Sequence, residues 1–354
     1  MDNSLQSLLL NIFQYAYAEG ASDVHFAVGR RPVVRVNREL VVLGNFDVVT
    51  NDFIYGALEI MVGRDKANDV FAGKETDFSF RPFDELRLRG NAYIDINGGC
   101  ISFRVVDRIK TLEELRLPKE LYEFTKKKQG FFLVVGPVGH GKTTTMISMV
   151  NVIANTRKAH ILTIENPIEY ILDDGISIIN QREVGTNTPD FHTALRASFR
   201  QDLDVIVIGE MRDADTISSA VTAAETGHLV LSTVHTNDAV QTIDRIIDSF
   251  PSDGQKQVRN QLAGTLLGIF SLRLLPSLKG GLVPAYELLI NNPAVANLIR
   301  EDRVYEIYRV LETSTQDGMV DFNRSLLELI RMGEIAPDVA LNYSNNPEVL
   351  LKSL

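Results

Sequence analysis

Residues 131–145 read Phe-Phe-Leu-Val-Val-Gly-Pro-Val-Gly-His-Gly-Lys-Thr-Thr-Thr. The apolar run 131–135 predicts a buried strand, and residues 144–155 predict a helix. Between them, Gly136, Gly141, Lys142 and Thr143 occupy the fixed positions of G-x-x-x-x-G-K-[ST]. Pro137, Val138, Gly139 and His140 fill the variable ones, and Thr144 follows. Strand, glycine-rich turn and helix in that order are the context a phosphate-binding loop needs, and a chance glycine-rich turn lacks it. Glycines let the backbone wrap a phosphate with its N–H groups aimed inward, and the helix N-terminus adds partial positive charge there. Lys142 is expected to hold the β- and γ-phosphates of a nucleotide such as ATP, and the Thr143 hydroxyl to ligate Mg²⁺. The loop binds with backbone, so the side chain of His140 is assigned no chemistry.

Working outward, 354 residues predict two domains, and 45% apolar content supplies ordinary cores. The net charge of −10 and pI of about 5.2 argue against a grip on nucleic acid over the whole chain, which needs a basic face. One cysteine, Cys100, excludes a disulfide framework and a multi-cysteine zinc site, in keeping with a reducing cytoplasm. Residues 1–10 lack the basic start of a signal peptide, and no run of about 18 uncharged residues is present to span a membrane. Membrane association is therefore expected through a partner.

Residues 4–19 carry apolar side chains at helical spacing. A strand beginning in 21–26, a hairpin of 33–36 with 40–43, helices at 50–62 and 65–71, and strands at 77–80, 86–96 and 100–106 make a small α+β domain over 1–108. The charged stretch 107–118 ends in Pro118 and reads as the join, with 109–118 as linker and 119–354 as the second domain. Lys126, Lys127 and Lys128 read as a solvated face of a short helix. From 131 onward strands at 131–135, 160–165, 177–181, 204–209 and 229–234 alternate with helices, the pattern of a parallel α/β sheet covered on both faces. Residues 251–354 read as mostly helical, with a strand at 282–290.

In such sheets ligands gather at the C-terminal ends of the strands. The strand 204–209 delivers Glu210 there, placed to hold Mg²⁺ directly or through water. The strand 160–165 delivers Glu165, followed by Asn166-Pro167-Ile168-Glu169. Hydrolysis needs a carboxylate that orients water against the γ-phosphate, and on the residues alone Glu165 and Glu169 are equal candidates. Strand 229–234 has a histidine at either end. His235, on the ligand edge, is suited to donate a hydrogen bond to a γ-phosphate, whereas His228 is structural by position. About 20 Å separates them, so they do not share a metal. In the first domain Arg87 and Arg89 lie two apart on a strand, and Arg104 lies on the next. They are either a solvated sheet face or arginine fingers offered to a neighbouring subunit's triphosphate.

Together these residues resemble the secretion-type ATPases of type IV pili and type II secretion, and most of all the pilus retraction ATPases, over nearly the whole chain. Ala21-Ser-Asp-Val-His25 matches the family's N-terminal motif, Thr163-Ile-Glu-Asn-Pro-Ile-Glu169 its Asp box, and Gly209-Glu-Met-Arg-Asp213 its Walker B segment. Residues 223–228 with Ser232-Thr-Val-His-Thr236 resemble its His box, and Asn297-Leu-Ile-Arg-Glu301 the retraction signature. The resemblance implies that Glu169 is the catalytic glutamate, that His228 is functional alongside His235, and that Arg87, Arg89 and Arg104 complete the site. It implies an N-terminal PAS-like domain, a RecA-like ATPase domain with C-terminal helices, and a cytoplasmic homohexamer at the inner membrane. Its partners would be the pilus platform protein and, optionally, a paralogous retraction ATPase, with no nucleic acid and no inserted segment. The extension ATPases usually carry a four-cysteine zinc motif that one cysteine cannot supply. The chain departs from the family at Asn97 for arginine, Asn166 for aspartate, Leu203 for proline and Leu272 for glutamine. An extension or secretion motor and a slow-turnover regulatory paralogue are the alternatives.

Overall fold

The computed structural model describes residues 3–36, 39–84, 86–106 and 108–354. The chain divides into two compact units, Met1–Arg108 and Ile109–Leu354.

The first unit is built on an antiparallel sheet. Its strands are β1 (Asp23–Ala27), β2 (Val33–Val36), β3 (Glu39–Val42), β4 (Thr76–Phe83), β5 (Leu86–Asp95) and β6 (Gly98–Val106), in the order β3-β2-β1-β6-β5-β4. Alternation of buried and exposed positions along β5 leaves Leu86, Leu88 and Ala92 inside. The helix Asn3–Ala18 covers that face with Leu9, Ile12, Phe13 and Ala16. Phe13 meets Phe103 edge to face at 5.3 Å, and Phe103 meets Phe26 at 5.6 Å, the geometry aromatic quadrupoles favour. The helix Asn51–Val62 starts where the Thr50 side chain accepts the Phe53 N–H.

The second unit holds β7 (Gly130–Val135), β8 (His160–Glu165), β9 (Ile178–Glu183), β10 (Val205–Ile208), β11 (Leu229–Val234), β12 (Leu266–Pro276) and β13 (Leu282–Ile290). The order is β13-β12-β7-β11-β10-β8-β9, with β13 antiparallel to β12 and all other neighbours parallel. Every residue of β7, β10 and β11 is buried, as strands covered on both faces are.

The structure differs from the sequence reading in three places. The eleven-residue strand β12 lies in the stretch read as helical. Its run Leu-Leu-Gly-Ile-Phe-Ser-Leu carries no period, and it follows the helix Ser252–Thr265 with no intervening turn signal. Residues 109–118, read as a linker, are packed into the second unit. Leu112 is fully buried, and the Lys110 carbonyl accepts from Ser148 Oγ at 2.7 Å. Asp107, read with that stretch, lies outside the described residues. Lys126, Lys127 and Lys128 follow the helix Leu121–Thr125 instead of lying on it, and all three are exposed.

Candidate functional site

The helix Lys142–Thr156 begins one residue after Gly141, whose backbone is left-handed at φ 84°. Gly136 has φ 146°, and a Cβ there would overlap the Leu272 carbonyl oxygen of β12. Only glycine fits so close a backbone approach. The turn between them opens into a cavity of about 420 Å³ lined by Val138, Gly139, Gly141, Lys142, Thr143 and Thr144. Pro137 and His140 do not line it. His140 Nδ1 accepts the Leu274 N–H at 2.9 Å and so fastens the loop to β12. That anchor was invisible in the sequence because its partner lies on the strand read as helix.

The opposite wall comes from the C-terminal strand ends. Glu165 leaves β8, Gly209 and Glu210 follow β10, and Thr233 and His235 close β11, with Glu169 on the segment beyond β8. Lys142 is buried, and its Nζ donates to the Pro137 carbonyl at 2.8 Å and to His235 Nδ1 at 3.1 Å. An ammonium has no acceptor, so Nδ1 must offer a lone pair and the proton of neutral His235 sits on Nε2. That nitrogen lies 3.5 Å from Glu210 Oε2, while Arg212 reaches Glu210 Oε1 at 2.6 Å. Arg245 donates to the His235 carbonyl at 2.8 Å and fixes the strand end.

Burial sets the electrostatics here. It lowers the Lys142 ammonium to about 8, against the pull of Glu210 and Glu169. Burial and the Lys142 charge hold His235 below the usual histidine range. The buried Glu165 carboxyl is pushed up by desolvation. Thr163 Oγ1 donates to its Oε1 at 2.6 Å, and its Oε2 is buried with no hydrogen-bond partner.

The donor set fits Mg²⁺ held with a nucleotide. Thr143 offers a hydroxyl and Glu210 a carboxylate to one cavity, and Mg²⁺ in such sites takes one or two protein oxygens and completes its shell with phosphate and water. The described residues hold no cluster of three His, Cys, Asp or Glu that would bind a metal without a nucleotide.

His228 lies outside this constellation. It precedes β11 at the far edge of the sheet, where its Nδ1 is 3.0 Å from the Ala223 carbonyl and its ring meets Phe199 edge to face. In the first unit Arg89 and Arg104 face each other across β5 and β6, and Arg87 shares their face two residues away. Arg104 is exposed and pairs with Asp23 at 3.4 Å. Asn97 sits in the β5–β6 turn, where its N–H donates to Asp95. Within Asn297–Glu301, Ile299 is buried and Leu298 packs against the core, while Asn297 and Arg300 are exposed. No helix among the described residues is long and apolar enough to cross a membrane.

A family model described as type II/IV secretion system protein matches residues 1–281. The chain is 36% identical over 341 residues to the type IV pilus retraction ATPase PilT of Pseudomonas aeruginosa, covering 96% of this chain and 99% of that one. It is 45% identical over 276 residues to a twitching motility protein of Neisseria gonorrhoeae, covering 77% and 74% of the two chains. The crystal structure of the pilus retraction motor PilT with bound ADP superposes with a TM-score of 0.86 at 40% identity, over 97% of this chain and 98% of that one.

Proposed function

This chain belongs to the type II/IV secretion system protein family and hydrolyses ATP, and we propose that it is the motor of pilus retraction. The observation that carries the reading is the meeting of Lys142, His235 and Glu210 around the phosphate loop, in a chain similar over its length to a retraction ATPase.

The loop and the N-terminus of the helix that follows bind the phosphates, and Lys142 leaves the Pro137 carbonyl and His235 to meet the β- and γ-oxygens. Once Lys142 has left, the imidazole proton of His235 moves from Nε2 to Nδ1, the tautomer that donates to the same oxygens. Thr143 and Glu210 would hold Mg²⁺, which when bound would supply positive charge to the phosphates. Glu169 orients the attacking water. Arg87, Arg89 and Arg104, on the PAS-like first unit, act on a neighbouring copy's nucleotide in a homohexamer whose second unit is RecA-like. His228, at the far edge of β11, holds the start of that strand through the Ala223 carbonyl and Phe199. The exposed Asn297 and Arg300 pass the motion to an inner-membrane platform protein, with a paralogous ATPase as optional partner.

A strain lacking the protein tests this. It should display surplus surface pili that fail to retract and should lose twitching. Loss of surface pili would assign the chain to extension. A slow-turnover regulatory paralogue is the second reading, favoured by Asn97 and Asn166, and normal steady-state turnover of the purified protein would remove it.

A further inference from the structure

Residues 166–172 leave β8 and carry Glu169 to the cavity without regular secondary structure. A side chain on such a segment is placed only as well as its backbone is held, and here the hold comes from the neighbouring edge strand β9. Gln181 and Glu183 are two residues apart on that strand and share a face. Glu183 Oε2 accepts the Ile168 N–H at 3.0 Å, one residue before Glu169. Gln181 Nε2 donates to the Tyr170 carbonyl at 2.9 Å, one residue after it, and Gln181 Oε1 accepts the Leu172 N–H at 2.8 Å. Each clamp is itself anchored. Thr186 Oγ1 donates to the other oxygen of Glu183 at 3.1 Å, and Gln181 Nε2 also reaches Glu165 Oε1 at 3.2 Å. The Tyr170 hydroxyl lies 3.1 Å from Thr144 Oγ1, which ties the same segment to the phosphate loop.

We propose that Gln181 and Glu183 are positioning residues for hydrolysis, gripping the backbone on both sides of Glu169 so that its carboxylate meets the attacking water at the right distance. Neither lines the cavity, so neither touches the reacting atoms. The inference rests on the reading of Glu169 as the water-orienting group. A misplacement of about 1 Å of such a group is worth about 10²-fold in rate. Ordinary stitching of a loop to a sheet edge would instead show in stability and nucleotide affinity.

Steady-state ATPase assays and ADP titrations of the full chain separate the two. Gln181→Leu and Glu183→Ala should each lower kcat about 10- to 100-fold with KM and ADP affinity within about threefold. Glu183→Gln keeps an acceptor for the Ile168 N–H and should restore kcat to within about threefold. In a Glu169→Gln background, Gln181→Leu should cause no further fall, because the clamp affects turnover through the placement of Glu169. Normal kcat in both single variants, or an additive fall in the double variant, would overturn the clamp. If Gln181→Leu does not fold, the contrast of Glu183→Ala with Glu183→Gln decides. Normal turnover in Glu169→Gln would remove the underlying reading, whereas its loss beside normal Gln181→Leu and Glu183→Ala would remove the clamp alone.

Discussion

The two edges of the parallel sheet are made from similar residues and do opposite things. At the N-terminal edge His160, Asp204 and His228 each close on a neighbour. His160 Nε2 meets Asn180 at 2.7 Å and its Nδ1 the Asp202 carbonyl, while Asp204 accepts the His160 N–H at 2.9 Å and His228 faces the Ala223 carbonyl. At the C-terminal edge Lys142, His235, Glu210 and Glu165 point into a cavity, Lys142 is held to about 8, and one oxygen of Glu165 has no partner. Parallel strands all end on the same side, and the loops there diverge around the point where the strand order reverses beside β7. The named groups of the N-terminal edge are therefore held by their neighbours, whereas those of the C-terminal edge line the cavity of the phosphate loop.

Substitutions sharpen that contrast. Lys142→Ala should fold and lose ATPase activity by about 10³-fold or more, the range charged groups on a transferred phosphate supply, and normal turnover would break the assignment of the cavity. His235→Ala removes a donor from the same site and should lower kcat about 10²-fold. His228→Ala should cost kcat at least about tenfold less than that, with its effect seen instead in melting temperature or assembly. Equal losses of kcat from the two histidines would mean that the edges are not functionally distinct.

The subtlest expectation concerns protons. Lys142 sits near 8 in the nucleotide-free protein against an ordinary 10.5, and phosphates restore its charge. Between those values the free native state holds fewer protons than either the nucleotide-bound or the unfolded state. Nucleotide binding at pH 9 should therefore take up a fraction of a proton, and affinity should fall as pH rises through the window. Stability of the nucleotide-free fold should rise with pH across the same window. Calorimetric titration in two buffers of different ionisation enthalpy reads the uptake, and Lys142→Ala should abolish it.

The spacing of Gly136, Gly141, Lys142 and Thr143 between an apolar run and a helix is local information. A phosphate loop is one continuous turn whose glycines are required by its own backbone angles, so the sequence by itself determined it. The alternation of strands and helices placed Glu165, Glu210 and His235 on one edge for the same reason. The tertiary structure alone decided three other things. Whether 266–276 is helix or strand depended on the open side of β7, because a continuous apolar run satisfies either. The fate of 109–118 depended on a core that could take Leu112, which charge counts do not reveal. The hold on Glu169 depended on β9 lying beside β8, which brings Gln181 and Glu183 to a segment nine to fifteen residues away, and such pairings leave no local periodicity to read.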